Sequence, residues 1–132
     1  MPIFTSKYTN HTKKEIEEYL KIIKKNVNND RFIVCTTKKN EKNRKFIETY
    51  KLNKNKQKQM IMELEVNDFC YSADNYNNVE ERLYFFCKEY KLNNWGTLEN
   101  VKVYIKIAKK QDDFIVIISL HKPEKKMEKL FK

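Results

Sequence analysis

Glycine occurs once, at Gly96, and proline twice, at Pro2 and Pro123, which leaves no material for a long flexible linker. No apolar run approaches the roughly 20 residues of a membrane-spanning helix, and MPIFTSKYT lacks the apolar centre of a signal peptide. Cys35, Cys70 and Cys87 are odd in number, widely spaced and without a CxxC pair. They read as reduced thiols of a cytoplasmic protein, and the spacing supports neither a disulfide framework nor a zinc site. No metal or other cofactor is expected. Arginine is confined to Arg31, Arg44 and Arg82, so bidentate reading of base edges has few agents. Histidine is confined to His11 and His121.

What is present points to a folded basic domain. Apolar residues make up 40% and aromatic residues 13% of the 132, enough for one domain over residues 1–132 with a real core. The net charge of +10, with a pI near 9.4, favours a polyanionic partner. A second cause is at work too: Lys, Asn, Ile, Tyr and Phe are abundant together, which AT-rich coding produces in any protein.

The chain is organised around the stretch 101–121, VKVYIKIAKKQDDFIVIISLH. Val101, Val103, Ile105 and Ile107 alternate with Lys102, Tyr104 and Lys106, the period of a strand with one buried face. After the polar segment 109–113, Phe114, Val116, Ile118 and Leu120 alternate with Ile115, Ile117, Ser119 and His121. A hairpin loop of two or four residues centred on Gln111 and Asp112 places Tyr104 opposite Ser119, Lys106 opposite Ile117 and Lys102 opposite His121. One face is then dry, with Ile105, Ile107, Val116 and Ile118 buried under a helix. The other carries Tyr104, Lys106, Ser119 and His121 together. A slip of one residue would exchange the faces, so the pattern specifies the register strongly.

Upstream, Thr12-Lys13-Lys14-Glu15 is a capping box, and Ile16, Tyr19, Leu20, Ile23 and Val27 follow at helical spacing. A helix is predicted over 12–26, a short strand over 31–36, and a second helix, capped by Thr37 or Asn40, through about residue 52. Phe46, Ile47 and Tyr50 form that helix's thin apolar side, and the runs KNRK and KNKQK read as solvated faces. Residues 54–65 read as a third helix, on composition rather than periodicity. Residues 68–78 read as a strand edge entering a loop, 82–90 as a buried aromatic strand, and 92–100 as the loop before the hairpin. A short basic helix is expected over 124–132. Helices first and an antiparallel sheet afterwards is an α+β order.

The order of these elements and several short motifs resemble the MqsR family of toxin ribonucleases, within the RelE-like superfamily. The motifs are His11-Thr12, Thr36-Thr37, Leu64 through Asp68-Phe69, Val103-Tyr104-Ile105-Lys106-Ile107 and Ile117-Ile118-Ser119. The resemblance implies helices packed on a twisted antiparallel sheet, cleavage of messenger RNA, and neutralisation by a cognate antitoxin. It carries the family's tyrosine and lysine of the penultimate strand onto Tyr104 and Lys106. Where the family has a lysine just after the last strand, this chain has His121. Where it has a lysine two residues after Asp-Phe, this chain has Tyr71. Its glutamine has no equivalent among residues 83–88, where Lys88 is the nearest polar candidate.

RNA cleavage needs a group to take the 2′-hydroxyl proton, a donor for the leaving 5′-oxygen, and cations at the phosphorane. Histidine as a residue type titrates near working pH, lysine supplies charge, and tyrosine donates a hydrogen bond or stacks on a base. His121 is therefore expected as general acid or base, Lys106 as phosphate clamp and Tyr104 as the hydrogen-bonding or stacking group. Lys88, Lys102, Tyr71 and His11 are expected to line the RNA groove. The alternative is a non-catalytic basic module, of phage origin, that binds nucleic acid or protein on the same sheet. A toxin fold that has lost its activity is a third reading.

Overall fold

The computed structural model describes residues 7–75 and 81–131; expectations for residues 1–6, 76–78 and 132 lie outside them. The chain runs β1 (Lys7–Tyr8), α1 (Lys13–Asn28), β2 (Phe32–Val34), α2 (Glu41–Tyr50), α3 (Lys54–Met62), β3 (Phe69–Asp74), β4 (Arg82–Asn94), β5 (Thr97–Lys109) and β6 (Ile115–His121). Single 3-10 turns, Lys38–Asn40 and Val66–Asp68, precede α2 and β3. Among the described residues the fold is α+β, three helices with one six-stranded sheet of order β1-β3-β4-β5-β6-β2. The sheet is mixed rather than wholly antiparallel: β2 pairs β6 in parallel at one edge, every other pair being antiparallel. No helix among the described residues is long and apolar enough to cross a membrane.

Helix α1 forms where its caps and stripe place it. Thr12 Oγ1 accepts the Glu15 amide and Glu15 Oε1 accepts the Thr12 amide, both at 3.1 Å, a reciprocal cap whose loss typically costs about 1 kcal/mol. Ile16, Tyr19, Leu20, Ile23 and Val27 are buried in one core with Phe69, Phe86, Val103, Ile105, Ile107, Ile117 and Leu120. This core fills the space between the helices and one face of the sheet. A smaller cluster of Ala73, Leu83, Phe85 and Ala108 lies apart from it, with Tyr71, Tyr104, Val116, Ile118 and Met127 packed against it. Strand alternation assigns these side chains to the other face of the sheet.

Several expectations are overturned. Residues 92–100 are not a loop. Strands β4 and β5 continue to an Asn94–Thr97 pair closed by Trp95 and Gly96, both at positive φ (53° and 98°), as a two-residue primed turn requires. Glycine tolerates that backbone and tryptophan does not favour it, which is why the turn is hard to read from sequence. Residues 124–131 form no helix but an irregular strap. The run KNRK is not wholly solvated, since Asn43 is only 1% exposed.

The register of the β5–β6 hairpin also differs. Tyr104 lies opposite His121 and Lys106 opposite Ser119, while Ile107, Ala108 and Lys109 face Ile117, Val116 and Ile115. Two one-residue shifts produce this. The loop is Gln111-Asp112-Asp113, an odd length: the Asp113 amide donates to Lys110 O, Asp113 takes φ 66°, and the Lys110 amide donates to Phe114 O. That shift turns Ile115 and Ile117 into the core and moves Val116 out of it. A bulge at Ile118, between the Lys106 and Ile107 pairs, then shifts the phase back. Val116 and Ile118 therefore sit in the smaller cluster, not under α1. Ser119 and His121 return to the face of Lys106 and Tyr104.

Candidate active site

The bulge that places His121 is held from outside the sheet. Asn43 of α2 donates through Nδ2 to Cys35 O at 2.8 Å and Ile118 O at 2.9 Å. Its Oδ1 accepts the Leu120 amide at 2.9 Å. One buried side chain thus bonds three backbone groups around the bulge, and Asn40 Nδ2 adds a second bond to Ile118 O at 3.3 Å. Asn43→Ala would remove the partners of the Cys35 carbonyl and the Leu120 amide, and leave Ile118 O with only the bond from Asn40 Nδ2. We expect it to cost about 3 kcal/mol in chemical denaturation, since each buried group left unsatisfied costs about 1–3 kcal/mol.

On the bulged face, side chains from four strands form a row. Tyr71 (β3) pairs with Phe85 (β4), their rings stacked at 4.4 Å and 19°. Phe85 stands 6.0 Å from the Tyr104 ring (β5), and Tyr104 stands 5.4 Å from His121 (β6). Cations lie over the row: Lys7 Nζ is 4.6 Å from the Tyr71 ring centre and Lys106 Nζ 5.6 Å from that of Phe85. The result is a basic aromatic row in which Tyr71, Tyr104 and His121 are partly exposed and Phe85, only 6% exposed, backs them.

Three side chains of this face differ in their surroundings. His121 Nδ1 lies 2.7 Å from Lys122 O; a carbonyl only accepts, so Nδ1 is the donor there, which leaves Nε2 as the nitrogen available to exchange a proton. Burial first, then Tyr71 and Cys70, pushes the Tyr104 hydroxyl above the ordinary tyrosine range, keeping it a neutral donor. Burial alone draws Lys106 below the ordinary lysine range, and no carboxylate pairs with it among the described residues. A half-buried ammonium left without a counter-ion is unfavourable, and an anion on this face would relieve it.

Lys106 gives a pH test. The folded state holds its proton less tightly than the unfolded chain, so stability should rise as pH climbs from the folded value toward 10.5. Lys106→Met should flatten that rise in urea titrations at successive pH values. An unchanged slope would show that Lys106 is not desolvated.

Lys102 is exposed, two residues before Tyr104 on the same face, and Tyr71 is part of the row. Lys88 and His11 do not belong there. Lys88 lies on the helix side of β4, its Nζ 3.2 Å from Asp68 Oδ2 and 3.9 Å from Glu65 Oε1. His11, its side chain 7% exposed, is hydrogen-bonded through Nε2 to the Ser72 hydroxyl at 2.7 Å and faces Glu15 through Nδ1 at 3.4 Å, packed edge-on to Phe69. Their capacity is spent on structure. Phe85, Lys7 and Asn43 escaped the sequence reading. Alternation within 82–90 puts Phe85 with Leu83 and Cys87, but both faces of that strand are apolar, so periodicity leaves the outward one undecided.

Among the described residues, no group of three or more His, Cys, Asp and Glu side chains is placed to hold a metal ion. All three cysteines are free, and burial raises their thiols, Cys70 to about 12, so none is a ready nucleophile. Comparison with protein-family models, with curated proteins and with solved structures finds no match to this chain.

Proposed function

We propose that the Tyr104–Lys106–His121 face cleaves RNA, as the endoribonuclease toxin of a type II toxin–antitoxin pair of the MqsR kind, with a RelE-like domain. The observation that carries the reading is Lys106: a half-buried cation with no ion pair among the described residues, paired with Phe85 of the aromatic row and on the same face as the neighbouring Tyr104–His121 pair.

In this mechanism His121 Nε2 takes the proton of a 2′-hydroxyl, whose oxygen attacks the adjacent phosphorus. Lys106 faces the non-bridging oxygens, where charge accumulates in the pentacoordinate state. The bond to the 5′-oxygen breaks, and that oxygen needs a proton. The Lys106 ammonium, made more acidic by its burial, is the donor this face offers. Tyr104 donates its hydroxyl to the substrate, and Tyr71, backed by the buried Phe85, supports a flanking base. The products are a 2′,3′-cyclic phosphate and a 5′-hydroxyl. In the cell the partners would be messenger RNA and a neutralising antitoxin, in the cytoplasm.

A second reading rests on Tyr71 and His121, which stand where the resembled family has lysines. With fewer cations, the same row suits a module that binds RNA and leaves it intact. Purified protein incubated with single-stranded RNA separates the two. The nuclease shortens the RNA; a binder retards it in a gel at full length.

A further inference from the structure

The strap after β6 is fastened at both ends. Near its start Glu124 pairs with Lys42 of α2. At its far end Lys129 Nζ meets the buried Asp68 at 3.3 Å, the Leu130 amide donates to Phe69 O at 2.9 Å, and the Phe131 ring stacks on Phe69 at 6.2 Å. Between these points Met127 packs against the cluster of Ala73, Leu83, Phe85 and Ala108, as Tyr104 does. The strap therefore crosses the face of the proposed site beside β4 and β5.

Under it lies a cleft of about 160 Å³, lined by Cys87, Lys102, Lys125, Lys126 and Met127 among others. Its charges are unequally committed. Lys88 and Lys129, also in its wall, are held by Glu65 and Asp68, whereas Lys102, Lys125 and Lys126 form no ion pair among the described residues. Among the described residues the one carboxylate lining the cleft is Glu89, opposite Lys102 in the ladder. Three uncommitted ammonium groups around one carboxylate, in a space of several water volumes, suit a phosphate group. The position matters as much as the charge. Lys102, Tyr104 and Lys106 alternate on one face, so Lys102 stands about 7 Å along the strand from Tyr104. That is one step of a nucleic-acid backbone.

Building on the cleavage reading, we propose that this cleft is a phosphate subsite, in which Lys102, Lys125 and Lys126 hold the backbone phosphate next to the one that is cut. The strap would then be part of the substrate groove, setting where a single strand lies across the site.

The test is binding of a 2′-O-methyl single-stranded oligonucleotide, which has no hydroxyl to attack, over a range of salt concentrations. The variants are Lys102→Gln/Lys125→Gln/Lys126→Gln and an equally charged control on α1, Lys13→Gln/Lys14→Gln/Lys25→Gln. The cleft variant should bind severalfold more weakly, with a slope of log affinity against log salt shallower by about 0.7, the value for one phosphate contact on a single strand. The control should keep the wild-type slope. Equal behaviour of the two variants, or a cleft variant indistinguishable from wild type, overturns the subsite. So does a cleft that takes an acidic peptide while the oligonucleotide does not compete for it. If the cleft variant behaves as expected but wild-type protein never shortens unmodified RNA, the subsite stands and the cleavage reading falls.

Discussion

His121→Ala should lose RNA cleavage by a factor of about 10²–10⁴, the usual contribution of one positioned proton-transfer group. The protein should remain folded, because His121 ends its strand half exposed and its side chain's one hydrogen bond among the described residues goes to the neighbouring Lys122 carbonyl. Lys106→Ala should lose most cleavage as well, and the two variants should differ in binding. Lys106 neutralises a phosphate, so its loss weakens affinity and lowers the salt dependence; His121 in its neutral form does neither. Initial rates on a labelled RNA, paired with binding to an uncleavable analogue, read out both quantities. Full growth arrest from a His121→Ala protein expressed in cells would remove that residue from the mechanism.

The second large effect is on stability. Ile105→Ala should cost about 2–5 kcal/mol, the range for removing a buried branched side chain whose surroundings relax only in part. Ile105 has no exposed surface; Phe86 lies beside it on β4 and Leu120 beside it on β6, with Phe69 next in the row. Lys102→Ala, three residues earlier and facing the other way, should stay within about 0.5 kcal/mol of wild type. Chemical denaturation of the two variants gives the comparison directly. Equal losses would contradict the assignment of faces.

Those faces were legible to different degrees. The first helix could be read because everything that specifies it is local: Thr12 and Glu15 cap each other, and the apolar stripe follows within sixteen residues. Strand β5 could be read for the same reason, its period of two running unbroken from Val101 to Ile107. The register of β6 could not. It depends on an aspartate that accepts a positive φ at 113 and on a bulge whose carbonyl is met by an asparagine 75 residues away. Neither is visible in alternation. Each shift alone would have separated His121 from Lys106, and together they restore the phase. The grouping expected from a wrong register is thus present for a different reason.

The misplacement of Lys88 and His11 has a related cause. Strand β4 is apolar on both faces, so its pattern does not say which way Lys88 points, and the deciding group is the buried Asp68, which Lys129 of the strap also meets. His11 sits next to a helix start that sequence identifies, but its Ser72 partner lies 61 residues on. Long-range polar contacts of this kind leave no periodic trace. The strap is similar: a lysine-rich segment that reads as a basic helix is held in irregular form by Phe69 and Asp68.

The central claim is that this face cuts RNA through the substrate's own 2′-hydroxyl. The most direct test is end-group analysis of RNA incubated with the purified protein in the presence of a chelator. Cleavage should persist, leaving 2′,3′-cyclic phosphate or 3′-phosphate on one fragment and 5′-hydroxyl on the other, and His121→Ala should abolish it. Cleavage that requires added metal and leaves 3′-hydroxyl ends, or RNA recovered at full length, would contradict the account.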